Sequence, residues 1–240
     1  IIWPVCLACL IESNKRIIRS LVNFIYSFGI SLSILLTNSR SAWISIFIGT
    51  LLFFGKKSYK LIFCFIIFIF LLISSTIYPI FGKGIQLFLQ DLIPNAILNE
   101  FTDIQYSRLS IWGKGLETVY NNPIFGSGAG SFPEIYKYET GLWKGHSHNL
   151  ILELLISYGI PAGLFVLIPI LTITVVSVKN IFLKSKIISI FDKSWITSLV
   201  VLLISQMFDI QYFDGRISIT LWLLISGSSN ILDEIKNSKI

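Results

Sequence analysis

Two histidines mark the point where this chain turns from polar loop to apolar helix. The stretch Gly145-His146-Ser147-His148-Asn149 holds both of them, and an apolar run begins at Leu150. Imidazole is the side chain whose ordinary charge change falls nearest neutral pH, so it is the natural general base here. At this place His148 can take a proton from a sugar hydroxyl as that hydroxyl attacks an anomeric carbon. It can equally cap or hydrogen-bond the start of the helix. His146 either shares the role or is a loop residue.

Two permanent cations accompany it. Arg40 lies between two apolar runs in Thr37-Asn38-Ser39-Arg40-Ser41-Ala42-Trp43, and Arg108 lies in Tyr106-Ser107-Arg108-Leu109-Ser110-Ile111-Trp112. A guanidinium at membrane depth needs a partner, water or a ligand. Its planar fork suits a diphosphate in a way that an ammonium does not. Each arginine can also be an interfacial anchor, Arg108 together with Trp112 one helical turn on. A base and two cations at a lipid–water boundary suggest chemistry on an anionic, lipid-linked substrate.

Supporting groups are sparser. Asn122-Pro123-Ile124-Phe125-Gly126-Ser127-Gly128-Ala129-Gly130 is either an anion nest, with Gly126 and Gly128 exposing main-chain N–H groups, or a plain tight turn. It is neither a Walker loop nor a dinucleotide fingerprint. Glu153 can orient a histidine or pair with Arg40 or Arg108. Asn149 suits the N-cap of the following helix. No metal is expected: a His-x-His without an Asp-x-Asp in the loop offers too few ligands. Asp209 and Asp214 flank a turn, where acidic residues are usually solvated.

These residues need a scaffold, and composition defines it. The chain is 54% hydrophobic and 13% charged with a mean hydropathy of +0.77, whereas soluble domains carry about 25% charge. The expected class is all-α, a polytopic transmembrane helical bundle with one large structured loop. Crossing helices are expected over residues 20–37, 42–54, 61–81 and 150–178, with a partial one over 1–11 and a hairpin of 195–208 and 217–231. Pro161 and Pro169 should tilt or kink the run that starts at Leu150. This divides the chain into N-terminal helices (1–81), a loop (82–149) and C-terminal helices (150–240).

Basic clusters orient it. Lys15, Arg16 and Arg19, then Lys56, Lys57 and Lys60, then Lys179, Lys184, Lys186 and Lys193, and finally Lys236 and Lys239 all fall on one side when the spans alternate. The positive-inside rule makes that side cytoplasmic. The opposite side receives Arg40, the loop and residues 209–216. The loop carries five Lys or Arg against six Asp or Glu, so it has no positive bias. The net charge of +6 therefore reads as membrane orientation and not as a nucleic-acid footprint. Residues 105–120 read as an amphipathic helix within the loop. Cys6, Cys9 and Cys64 lie in apolar segments and suggest packing, not disulfides. The opening Ile1-Ile2-Trp3 has no signal-peptide character and reads as the C-terminal part of something longer.

In their order and spacing, Ser39-Arg40-Ser41-Ala42-Trp43, Ser107–Trp112, Asn122–Gly128, His146-Ser147-His148-Asn149-Leu150 and Gly159-Ile160-Pro161-Ala162-Gly163 resemble the O-antigen ligase and polymerase family of bacterial envelope proteins. The resemblance covers residues 38–168. It implies an inner-membrane, multi-pass, inverting glycosyltransferase with its active site facing the periplasm. The donor would be a glycan on undecaprenyl diphosphate, used without a metal or other cofactor. By the same resemblance Arg40 and Arg108 match the arginines that hold the diphosphate, and His148 matches the histidine that activates the acceptor. That acceptor is lipid A core for a ligase, a growing glycan for a polymerase, or a protein for an O-oligosaccharyltransferase. A lipid-glycan or anion transporter is the alternative from another class. Polar residues gathered at one face, with no repeated halves, favour the enzyme.

Overall fold

The computed structural model describes residues 1–13, 17–36, 39–58, 60, 63–64, 67, 71, 82–92, 108–183 and 188–237. Among these residues all regular structure is helical. In chain order the helices are α1 (Trp3–Glu12), α2 (Ile17–Leu36), α3 (Arg40–Phe54), α4 (Lys83–Leu92), α5 (Arg108–Asn121), α6 (Phe132–Thr140), α7 (Leu150–Leu183), α8 (Ile190–Gln206) and α9 (Gly215–Asn237). A 3-10 turn, Gly55–Ser58, follows α3. Among the described residues two stretches, Ile17–Ile34 and Leu150–Leu183, are long and apolar enough to cross a membrane, while α1 and Ser41–Phe54 are apolar but shorter. Apart from 63–64, 67 and 71, the expected span over 61–81 lies outside the described residues, as do Lys15, Arg16, Lys184, Lys186 and Lys239.

Helices α3, α7, α8 and α9 pack side by side. At one end Leu52 of α3 meets Ile181, Ile196, Ile231 and Ile235. Midway, Ile170, Leu199, Leu202, Leu221 and Leu224 interlock. Helices α3 and α8 approach closely because Gly49 has no side chain: a Cβ there would overlap Val201. Ser189 and Asp192 form a reciprocal capping box that starts α8. Asp214 starts α9 by accepting the Arg216 main-chain N–H at 2.9 Å.

The long helix α7 is broken once. Gly159 sits at φ 78°, ψ 172°, two residues before Pro161. Proline has no N–H for the Ser157 carbonyl, and the Gly159 kink frees the Ile156 carbonyl as well. In an apolar helix those acceptors must find donors. They find them in the turn after α5. Ser127 N–H donates to Ile156 O at 2.7 Å, and Gly128 N–H donates to Ser157 O at 3.1 Å. In return Ile160 N–H donates to Pro123 O at 2.7 Å. The two main chains touch, which only glycine permits: a Cβ on Gly126 would lie 2.5 Å from Gly159 N. The sequence left an anion nest and a tight turn both open here. With the Ser127 and Gly128 N–H groups on α7 carbonyls, Gly126 and Gly128 serve this docking.

Helices α5 and α6 therefore form a lobe clamped to the first turns of α7. Ile111, Val119, Phe132 and Tyr136 bury with Leu152 and Ile156 in one cluster. Gly115 lets α5 approach, since a Cβ there would meet Leu152 Cδ2 at 2.6 Å. Lys114 of α5 ties it to α6 through Glu139 at 3.3 Å, and pairs within α5 with Glu117 at 2.7 Å.

Candidate functional site

The loop that carries the histidines is held from below by α7. Asn149 caps that helix: its Oδ1 accepts the Leu152 N–H at 3.1 Å, and its carbonyl accepts the Glu153 N–H at 2.9 Å. Glu153 is buried at 2% exposure one turn into α7. Its Oε2 accepts the N–H of the fully buried Ser147 at 2.9 Å. The sequence offered Glu153 as a partner for a histidine or an arginine. Instead it fixes the peptide between the two histidines, and among the described residues it forms no ion pair.

His148 takes up the left-handed region at φ 56°, the one non-glycine residue among those described to do so. A single residue held there is sparsely populated and maintained by its surroundings. The turn brings the two imidazoles together, with ring centroids 4.3 Å apart and planes at 68°. It also lets the His148 main-chain N–H donate to His146 Nδ1 at 3.2 Å.

The third member is a residue that sequence reasoning set aside. Asp209 lies in the turn after α8, where its N–H donates to Ser205 O at 3.0 Å. Its Oδ1 stands 3.5 Å from His146 Nε2 and 3.5 Å from His148 Nδ1. Both are longer than a formed N–H···O bond, and catalytic contacts often tighten only with substrate bound. Asp209 is itself 46% exposed; Asp214, 39% exposed, is the solvated cap of α9. Bonds from the Arg216 side chain hold its carboxyl at about 2. A signal separating the two was present: Asp214 has Arg216 as a local partner, while Asp209 has no basic residue in its own turn.

Burial pushes the His148 imidazole below its ordinary value, and the His146 ring adds to that. Asp209 opposes the shift, while Arg108 and Lys144 push in the same direction as burial. Arg108 is thus within electrostatic reach of His148, as the first residue of α5, with an exposed side chain. Trp112, one turn on, packs against the lobe cluster and leaves its indole N–H without a protein acceptor. Arg40 opens α3, whose N-cap Ser39 accepts the Ala42 N–H at 3.4 Å. Its side chain lies outside the described residues. The start of α3 faces the end of α8 across a cavity of about 460 Å³. Ser39, Ser41, Ser45, Ser205 and Gln211 give this cavity a polar rim, and Ile30 and Ile34 of α2 an apolar wall.

His146, His148 and Asp209 are also of metal-ligating type, with donor atoms all within 4.8 Å. Protonation argues against ligation in this arrangement. A neutral imidazole has one N–H and one lone pair. The lone pair of His146 Nδ1 is taken by the His148 N–H, so Nε2 carries the proton and cannot bind a cation without giving up that bond.

The arrangement is that of a helical protein with two imidazoles at the start of a long apolar helix, a carboxylate oxygen 3.5 Å from each, and the Arg108 charge acting on His148. A family model described as O-antigen ligase matches residues 25–168, and the chain belongs to that family. It is similar to the ComP-specific O-oligosaccharyltransferase of Acinetobacter baylyi, 29% identical over 184 residues, which are 74% of this chain and 33% of that protein. The chain thus spans about a third of the length of that relative.

Proposed function

We propose that this chain carries the catalytic end of an inner-membrane, multi-pass glycosyltransferase that works at the periplasmic face. It takes glycan from an undecaprenyl-diphosphate donor and passes it to a hydroxyl. The observation that carries this reading is His148: a burial-neutralised base in a strained turn at a helix mouth, with Arg108 in reach. His148 takes the acceptor hydroxyl proton while the oxygen attacks the anomeric carbon. The bond to the diphosphate breaks, and its electron pair leaves on the diphosphate oxygen. Arg108 and Arg40 stabilise the charge that develops there. One displacement inverts the anomeric centre.

Supporting the lipid-linked donor, the cavity between α3 and α8 pairs a serine-rich rim with an isoleucine wall, as an amphiphilic substrate requires. Supporting a single working face, the start of α3, the start of α7 and the 207–214 turn lie at one end of the bundle. The basic 55–58 turn and the start of α8 lie at the other. Permanent guanidinium charge, and a His146 lone pair already engaged, support transfer without a metal. The relative's name favours a protein acceptor, with lipid A core and a growing glycan as the other choices.

The test uses the full-length protein and its His148→Ala variant in nanodiscs, with an undecaprenyl-diphosphate glycan and EDTA. Lipid A core, free glycan and a protein acceptor are offered separately. Transfer by the wild type alone, to one acceptor, is expected and identifies that acceptor. Transfer by both proteins, or movement of the donor across the bilayer without transfer, would overturn the reading.

A further inference from the structure

We propose that Asp209 is the positioning residue of this site: through one carboxylate oxygen it sets both imidazoles, so that His148 alone is the base and its Nε2 is the atom that takes the proton. The inference rests on the transfer chemistry proposed above and goes beyond it by assigning protons to atoms.

Each imidazole has one proton to place. His146 Nδ1 accepts the His148 main-chain N–H at 3.2 Å, so its proton sits on Nε2. That N–H faces Asp209 Oδ1 at 3.5 Å. His146 then has no lone pair left to act as a base. His148 is placed the other way round, with Nδ1 facing the same Oδ1 at 3.5 Å. An ionised carboxylate only accepts, so the nitrogen facing it carries the proton. The lone pair of His148 is left on Nε2, pointing away from Asp209. His148 Nδ1 is buried and makes no completed hydrogen bond with a described residue; the 3.5 Å approach of Asp209 Oδ1 is its one carboxylate contact among them.

The same geometry serves the reacting state. When Nε2 takes the hydroxyl proton, His148 becomes an imidazolium, and Asp209 is the one anion among the groups acting on it. His146, Lys144 and Arg108 all disfavour that cation. Asp209 comes from the end of α8 and the histidines from the start of α7, so packing of these two helices sets the distance. The chemistry is that of a carboxylate which orients an imidazole and steadies its charged form without itself being protonated.

The experiment combines turnover with imidazole nitrogen NMR of the full-length protein in nanodiscs. In the wild type, His148 should show Nδ1 protonated and Nε2 bare, and His146 the reverse. Asp209→Asn can donate from its amide and should shift His148 toward the Nε2-protonated form. Its kcat should fall ~10²–10⁴-fold with little change in donor KM. The acid limb of its pH profile should move lower, because the anion favouring His148 protonation is gone. Asp209→Glu should recover part of the rate. His146→Asn keeps an acceptor for the His148 N–H and should lose less than ~10-fold. Asp209→Asn with near-normal kcat, or with a loss but an unmoved tautomer and acid limb, overturns the proposal. So does a His146→Asn variant as inactive as His148→Ala. A wild type that transfers to no acceptor overturns the proposed function alone, since the tautomer measurement decides the positioning role without turnover.

Discussion

Gly159→Ala should be the most damaging small change in the molecule away from the histidines. Its backbone, at φ 78° and ψ 172°, lies in a region essentially reserved for glycine, and forcing alanine there costs about 1–3 kcal/mol. The added Cβ would also overlap the Ile124 carbonyl, lying 2.5 Å from its carbon. Backbone cannot swing aside as a side chain tip can, so the turn must lift from α7. That breaks the three main-chain bonds from Ser127, Gly128 and Ile160, worth about 1 kcal/mol each. The total loss is about 4–6 kcal/mol. At about 2–4 °C per kcal/mol for a chain of this size, the melting point should drop by ~10–20 °C. Two alanines calibrate the result. Gly128, at φ 98° with nothing within 4 Å of a Cβ, should lose only the strain, about 1–2 kcal/mol. Gly113, helical and equally open, should gain up to about 1 kcal/mol. Tryptophan fluorescence during heating in nanodiscs ranks the three. If Gly159→Ala melts within a few degrees of Gly128→Ala, the carbonyl-lock reasoning is wrong.

Three further outcomes are expected. Glu153→Ala strands the buried Ser147 N–H, costing about 1–3 kcal/mol and at least ~10-fold in transfer rate. Glu153→Gln keeps an acceptor and should retain most activity, so equal loss in the two variants would assign the role to charge. In the wild type the acid limb of kcat/KM should lie below the ordinary histidine value of 6.5, because burial and His146 lower His148. The base works when neutral, so a lowered value extends activity toward acid; a limb above 6.5 would contradict the assignment. Arg108→Lys keeps the charge but loses the planar fork, and should cost ~10-fold or more in kcat/KM. Near-normal turnover would remove Arg108 from the donor site.

The helices were legible because apolar runs and breakers mark them locally. Those expected over 20–37, 42–54 and 150–178 appear as Ile17–Leu36, Arg40–Phe54 and Leu150–Leu183. The hairpin around 209–216 and the Asn149 cap were readable for the same reason, since each depends on neighbours in sequence. What escaped was long-range and made of main chain. Nothing local says that Asn122–Gly128 donates to carbonyls near Gly159, although Pro161 in an apolar helix announces an orphaned carbonyl that some segment must satisfy. Glu153 read as a partner for a histidine or for Arg40 or Arg108 because charged side chains are visible in a sequence, whereas the peptide N–H of Ser147 that it accepts is not. The solvated-turn reading describes both carboxylates, Asp209 at 46% exposure and Asp214 at 39%; what it missed is the approach of Asp209 to the histidines, which the packing of α8 against α7 creates.

That pattern makes one helix, α7, the hub of the main-chain contacts. It holds the histidine loop and the turn after α5 through different atoms. Its cap residue Asn149 starts it beside His148, and Glu153 in its first turn fixes the peptide between the histidines. Its kink carbonyls, on Ile156 and Ser157, hold the turn that follows α5. Because Arg108 sits at the far end of α5 from that turn, its position depends on the lock as well as on Gly115 packing against Leu152. The histidine loop is thus set by the first turn of α7 and the start of α5 by its third, with Asp209 arriving from α8 beside the two rings. A site built this way tolerates exchange of exposed lobe residues, but not changes to the few groups that close its main-chain contacts.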